Sequence, residues 1–214
     1  MYERLREEMV KKFCVDAGIN DKRIIAAMRR IPRHLFVETA LAHQAYSGAS
    51  LPIGFGQTIS HPATVAWMTE ALEIVDGDKV LEVGTGSGYQ AAVLAELGAK
   101  VFTIERIPQL AEKARKIFHD LGYFSIAVQI GDGTVGWTHY APFDKIIVTA
   151  GSPEVPDALI SQLADNGKLI IPVGDINDQN FKIIIKENDS IKTSTSKTGS
   201  FVPLIGRGGW RKGD

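Results

Sequence analysis

Val80-Leu81-Glu82-Val83-Gly84-Thr85-Gly86-Ser87-Gly88-Tyr89 is the stretch whose reading decides the fold. An apolar run that feeds a glycine-rich turn and then a helical segment is the generic cradle for a nucleotide-like ligand. Glycine has no Cβ, so the backbone approaches a ligand closely, and the helix that follows offers unpaired N–H groups. Alone this is a weak signal, and two details sharpen it. The dinucleotide fingerprint places its third glycine one residue later, as G-x-G-x-x-G. Here the spacing is G-x-G-x-G, and bulky Tyr89 stands where the dinucleotide glycine would pack helix against strand. Glu82 precedes the first glycine by two residues. A carboxylate there repels a diphosphate and attracts an ammonium or sulfonium. The implied ligand is cationic at one end, which suits S-adenosylmethionine better than NAD. Glu82, Gly84, Thr85, Gly86, Ser87, Gly88 and Tyr89 are therefore expected at the cofactor.

Further along, Glu105 ends the apolar run Val101–Ile104, 21 residues after Gly84. A carboxylate in that place can accept hydrogen bonds from ribose hydroxyls. Asp132-Gly133 follows the run Ile126–Ile130 and suits an adenine amino group. One acidic residue at a strand end is ordinarily a solvated or capping charge. Three at successive strand ends, on the carboxyl side of one sheet, point instead to a ligand, because open α/β sheets bind there. The rest of the region repeats the rhythm. Lys79–Val83, Asp144–Thr149 and Lys168–Val173 read as strands; Gln90–Leu97, Pro108–Leu121 and Pro156–Leu163 read as helices. Short buried strands alternating with helices predict a parallel sheet covered on both faces. After Gly174, Phe181–Lys186 and Ile191–Ser196 flank a turn at Glu187–Ser190, an antiparallel hairpin.

The front of the chain is helical: Leu5, Met9 and Phe13, then Ile24, Ile25 and Met28, recur at helical spacing, with Gly18 and Asn20 between and Pro32 as a stop. Residues 45–56, rich in Gly, Ser and Pro, read as a long ordered loop. Ser60-His61-Pro62 then opens a helix with Ser60 as its N-cap, and the helix ends near Val75-Asp76-Gly77. The fold expected is a doubly wound, Rossmann-like α/β sheet, mostly parallel, with an antiparallel C-terminal hairpin and N-terminal helices. We expect a single domain over 1–214: helices and a substrate loop at 1–76, a cofactor core at 77–174, closing strands at 175–214.

Composition narrows the partners. The net charge of −1 over 214 residues carries no basic surplus, which argues against nucleic acid. No stretch has the apolar length of a membrane span, and the first residues lack the apolar block of a signal peptide. Cys14 is the only cysteine, so a disulfide and a cysteine-built metal site are excluded within the chain. His34, His43, His61, His119 and His139 show no paired metal spacing, and no metal is expected. A cytoplasmic monomer without a membrane partner is the expectation.

More specific strings carry a resemblance. They are Ala45-Tyr46, the run Leu51-Pro52-Ile53-Gly54-Phe55-Gly56-Gln57-Thr58-Ile59-Ser60, Gly86-Ser87-Gly88-Tyr89-Gln90, Glu105-Arg106, Gly131-Asp132-Gly133 and Phe201-Val202-Pro203-Leu204-Ile205-Gly206. The order of glycine loop, Glu105 and Asp132-Gly133 resembles the class I S-adenosylmethionine-dependent methyltransferases. The strings together resemble the protein-L-isoaspartate O-methyltransferase family, Gly-Gln-Thr-Ile-Ser most specifically. Ala91 and Gly151-Ser152 depart from that family's usual residues. The resemblance implies methyl transfer from S-adenosylmethionine, leaving S-adenosylhomocysteine, to the free α-carboxylate of L-isoaspartyl residues in damaged proteins and peptides. It implies a catalytic Ser60, an acceptor groove with Ile53, Gly54, Gln57, Thr58, Ile59, His61 and Val202, and Arg106 and Gly133 at the cofactor.

Such an acceptor, with a pKa of about 4, is ionised at neutral pH and needs no general base. That agrees with a chain lacking a Ser-His-Asp triad, an activated cysteine or a metal site. A methyltransferase for another carboxylate or small molecule is the alternative. Nucleobase amino methylation usually brings an Asn/Asp-Pro-Pro-aromatic string, and the chain instead reads Thr149-Ala150-Gly151-Ser152-Pro153. A cofactor-holding module without turnover, and an NAD-dependent dehydrogenase, are the other readings. Tyr89 and Glu82 oppose the last.

Overall fold

The computed structural model describes residues 1–188, 190–211 and 213. Helix α1 (Tyr2–Val10) runs on through a π-helical turn at Lys11–Val15 and is followed by α2 (Lys22–Arg30). Asp21 caps α2 by accepting the Arg23 N–H, and the helix buries Ile24, Ala27 and Met28 on one face.

The segment expected to be a loop contains a hairpin instead: β1 (Leu51–Gly54) pairs antiparallel with β2 (Gln57–Ile59). Leu51, Ile53 and Ile59 are buried, an alternation that the Gly and Pro content hides. Gly54, Phe55 and Gly56 turn the chain at φ of 96°, 55° and 71°. Tight hairpins favour positive φ because such turns match the twist of the strands. Phe55 holds this conformation without glycine's freedom and stays exposed.

Helix α3 (Pro62–Leu72) brings a second correction. Its N-cap is His61, not Ser60: Nδ1 of His61 accepts the Ala63 N–H at 3.0 Å. Pro62 fills the first helical position, where its missing N–H costs nothing. The helix ends at Leu72 rather than near Val75, closed by Glu73 in the left-handed conformation.

The main sheet comprises β3 (Lys79–Val83), β4 (Lys100–Glu105), β5 (Ile126–Ile130), β6 (Phe143–Val148), β7 (Leu163–Gly174), β8 (Gln179–Glu187) and β9 (Ser190–Gly199). Their spatial order is β5-β4-β3-β6-β7-β8-β9. Pairing is parallel from β5 to β7 and antiparallel from β7 to β9. Helices α4 (Tyr89–Glu96), α5 (Pro108–Leu121) and α6 (Asp157–Ser161) make the crossovers. The last is shorter than expected because β7 begins at Leu163, inside the predicted helix. The expected turn at Glu187–Ser190 includes Asp189, which lies outside the described residues, while its flanking strands are longer than predicted.

Two apolar clusters follow from strand alternation. Val80, Val101, Ile147 and Ile170 pack with the N-terminal helices and α4. Their neighbours Leu81, Ile146, Leu169 and Ile171 face the other side, with Leu159 of α6. Among the described residues no helix is long and apolar enough to cross a membrane. The chain winds outward through β3, β4 and β5, then returns to place β6 on the far side of β3. The carboxyl ends of β3 and β6 therefore flank the switch point where such sheets bind ligands.

Candidate active site

At the switch point the glycine loop leaves β3 with Gly84, Gly86 and Gly88 at φ of 100°, 53° and 88°. A Cβ on Gly84 would collide with the Thr149 hydroxyl oxygen, and one on Gly133 with the Val83 side chain. Thr149 follows β6, and its hydroxyl lies 2.6 Å from the Gly84 carbonyl oxygen and 3.1 Å from that of Val83. It thereby bridges the two strand ends that flank the crevice. Gly88 caps α4 and lies against Phe118.

Glu105 clamps the loop from the next strand. One carboxylate oxygen accepts the Gly86 N–H at 2.8 Å and the other the Ile107 N–H at 2.9 Å. Each oxygen keeps a second lone pair, and Glu105 lines the cavity over the loop. Thr85, Gly86, Ser87, Tyr89, Arg106 and Gly133 line it as well, with Val83, Ile104, Ile107 and Leu204 as apolar wall.

Glu82 is placed otherwise than the sequence suggests. It is fully buried beneath the loop and does not line the cavity. Its carboxyl accepts from the Thr103 hydroxyl, which in turn is 2.6 Å from the Thr85 hydroxyl. Burial pushes this carboxyl up to about 8, the Thr103 hydrogen bond opposing and the Glu105 charge adding. At neutral pH Glu82 is mostly protonated, so it meets no ligand as a bare carboxylate. Asp132 also stands back. One oxygen accepts from the N–H and hydroxyl of Thr134, the other from the Arg207 N–H at 2.8 Å. Burial works to raise its pKa, yet these donors outweigh it and hold the carboxyl below the usual range. Gly133 beside it reaches the cavity, while Asp132 ties the C-terminal tail to the sheet.

A second cavity adjoins the first. Ser50, His61, Thr64, Phe181 and the segment 198–202 line it, and it shares Thr58, Ser60, Thr149 and Val202 with the cofactor-side cavity. Ser60, freed from capping, stands at the junction. Gln57 and Ile59 line the first cavity only; Ile53 and Gly54 line neither, and the Ile53 side chain packs toward Gly86. His61 faces the second. Burial, then the charges of Arg33 and Lys12, lower its pKa, so it is neutral near pH 7. With Nδ1 accepting from Ala63, its proton sits on Nε2.

Arg33 and Thr149 escaped the sequence reading. An arginine just after Pro32 looks like a surface charge, yet Arg33 is wholly buried. Its Nε donates to the Ala45 carbonyl at 2.8 Å and its Nη2 to the Ser60 carbonyl at 2.7 Å. Its guanidinium lies 4.6 Å from the centre of the Tyr89 ring. No local pattern marks such a residue. Thr103 did leave a signal, a lone hydroxyl inside an apolar strand.

The model of the protein-L-isoaspartate(D-aspartate) O-methyltransferase family matches residues 4–209. Protein-L-isoaspartate O-methyltransferase 1 of Pelobacter propionicus is 51% identical over 98% of this chain and 99% of its own length. Protein-L-isoaspartate O-methyltransferase 2 of Geotalea uraniireducens is 54% identical over 96% of this chain and 95% of its own. A solved protein-L-isoaspartate O-methyltransferase superimposes at a TM-score of 0.86, 28% identical, over 98% of this chain and 67% of that one. A Plasmodium falciparum protein crystallised with S-adenosyl-L-homocysteine shares the fold at a TM-score of 0.81, 23% identical, over 94% and 98% of the two chains. Agreement at about half of all positions, over nearly the full length of both chains, goes well beyond a shared scaffold: the chain belongs to the protein-L-isoaspartate(D-aspartate) O-methyltransferase family.

Proposed function

We propose that the protein methylates the free α-carboxylate of L-isoaspartyl residues in damaged proteins and peptides, the first step of their repair. The observation that carries this reading is the meeting of the two cavities at Thr58, Ser60, Thr149 and Val202. One cavity takes the methyl donor, the other a peptide, and the reacting atoms lie between.

The first cavity fits S-adenosylmethionine. It is an open cleft of about 890 Å³, solvent at its mouth included. Thr85, Ser87, Glu105 and Arg106 offer a polar side, and Val83, Ile104, Ile107 and Leu204 an apolar one. When bound, the cofactor supplies a methyl group on a sulfonium, an electrophile that needs no further activation. Loop residues Gly84–Tyr89 position it, with Glu105 on the ribose and Gly133 at the far side.

On the acceptor side no base is needed, since the attacking carboxylate is already ionised. Ser60 donates its hydroxyl to one carboxylate oxygen and leaves the other to attack in line. Holding two reactants in such a pose is worth up to about 7–11 kcal/mol in favourable cases. Thr58, His61 and Val202 flank the peptide, and Ile53 and Gly54 support the hairpin behind it. The three parts 1–76, 77–174 and 175–214 work as one domain. A monomer is the working unit this reading expects. The single free thiol of Cys14 accords with a cytoplasmic setting.

The test is transfer of labelled methyl groups to an isoaspartyl peptide and to its aspartyl twin. In the twin the carboxylate hangs one methylene farther from Cα, displacing the attacking oxygen by about one bond length, and about 1 Å already costs roughly a hundredfold. A kcat/KM at least a hundredfold higher for the isoaspartyl form is expected. Equal values for the two peptides would refute the repair reading.

A further inference from the structure

Among the described residues, Arg33 is a wholly buried charge that the chemistry above does not use. It is wholly inaccessible, yet among the described residues no carboxylate lies within ion-pair distance of it. Burying a cation without a counter-charge is costly, and chains retain such groups where something compensates them. Two backbone carbonyls, those of Ala45 and Ser60, and the face of Tyr89 do part of this. Nη1 is left with no hydrogen-bond partner. A guanidinium does not lose its proton, so the charge stays.

Its place gives the deficit a meaning. Through Nη2 the guanidinium holds the carbonyl of Ser60, one of the residues shared by both cavities, while itself lining neither. Through Tyr89 it touches the loop that carries the cofactor. The N-terminus of α3, whose dipole is positive, opens at the same point. Arg33 is among the causes that lower the pKa of His61, a lining residue of the acceptor cavity, so its field is felt there.

We propose that Arg33 is a positioning residue whose buried charge selects an anionic acceptor: it fixes Ser60 and draws a carboxylate, rather than a neutral amide or ester, into the cavity at Ser60 and His61. This rests on the acceptor site assigned above. It gives the enzyme an asymmetry between substrate and product. The entering carboxylate compensates the guanidinium; the methyl ester that forms is neutral and no longer does, so product leaves more readily than substrate. Arg33 reaches the reacting atoms only through Ser60 and Tyr89, which is why it positions rather than reacts.

Binding is measured on the full chain saturated with S-adenosylhomocysteine, so that no turnover occurs. Calorimetry compares an isoaspartyl peptide with the same peptide carrying a neutral α-carboxamide, for wild type, Arg33→Met and Arg33→Lys. The ratio of the two dissociation constants is the readout, since damage to the fold weakens both peptides together. At an effective dielectric near 20, a charge several ångströms from the carboxylate changes that ratio on the order of tenfold. Arg33→Met is expected to lose about that factor in preference for the carboxylate. Arg33→Lys keeps the charge and is expected to stay within about threefold of wild type, while binding both peptides more weakly. In wild type the ratio should hold from 50 to 300 mM salt, because a buried charge is screened little.

An unchanged ratio in Arg33→Met, a collapsed ratio in Arg33→Lys, or a wild-type ratio that fades with salt would each overturn the proposal. Should Arg33→Met fail to fold, the lysine variant and the salt series still decide. Wild-type methylation of the isoaspartyl peptide is the control: its absence sinks the function itself, its presence with an unchanged ratio sinks only the role of Arg33.

Discussion

Ser60 and His61 divide between them two tasks that the sequence assigns to Ser60 alone. With the cap supplied by His61 Nδ1, replacing the serine hydroxyl has little to do with stability. Ser60→Ala is expected to unfold within about 0.5 kcal/mol of wild type, bind cofactor equally well and turn over ten- to a hundredfold more slowly. Paired denaturation and rate measurements check this, and normal turnover would remove Ser60 from the chemistry. His61→Ala should cost about 1 kcal/mol of stability, and His61→Asn, which can still cap, much less. Glu82 offers a pH test. Its carboxyl titrates near 8 when folded and near the ordinary 4.5 when unfolded. Folding therefore retains a proton that the unfolded chain gives up, and this contribution is whole below pH 4.5 and declines as pH rises toward 8. The slope is at most about 1.4 kcal/mol per pH unit. Glu82→Gln has no such loss, so its stability relative to wild type should climb across pH 5 to 8 and level off above. A flat difference in denaturant midpoints would show that Glu82 is ionised in the fold.

The glycine loop was legible because its constraint is local: positive φ and close approach demand glycine at fixed offsets, and a strand before and a helix after complete the pattern. Glu105 was legible for the same reason, as the end of the next strand. Glu105→Ala removes an acceptor from the Gly86 and Ile107 N–H groups as well as from the cofactor. An affinity loss of about 1.5–3 kcal/mol is expected by calorimetry, in proportion to a charged acceptor removed. The β1–β2 hairpin was hidden, because Pro52, Gly54 and Gly56 make its composition that of a loop while only Leu51, Ile53 and Ile59 betray the strand period. The depth of Glu82 was hidden too. Sequence shows that a carboxylate stands before the loop, but whether it faces ligand or core depends on packing from Thr103 and Glu105. Arg33 had no readable signal, since the partners that enclose it, Ala45, Ser60 and Tyr89, come from other parts of the chain.

Across the whole molecule, the C-terminal tail acts on the cofactor side from the far end of the chain. The Arg207 N–H bonds to Asp132, the Gly208 N–H to the Thr134 hydroxyl, and the Trp210 indole N–H to the Gly151 carbonyl. A chain ending at Gly206 is expected to melt at lower temperature and to bind S-adenosylhomocysteine at least tenfold more weakly, because Gly133 and Leu204 lose their backing. Unchanged affinity in that shortened chain would separate tail from site. The same layout has a consequence for timing. Cofactor loop and clamp are complete by Ile107, while the cavity wall at Val202–Ile205 is the last part of the site to be made. Synthesis runs from the N-terminus at roughly 5–20 residues per second. A copy still on the ribosome thus carries Ser60, His61 and the cofactor loop for several seconds before the segment 198–205 can wall either cavity. Both cavities therefore wait on the closing strands, and fragments that stop before Val202 are expected to be inert.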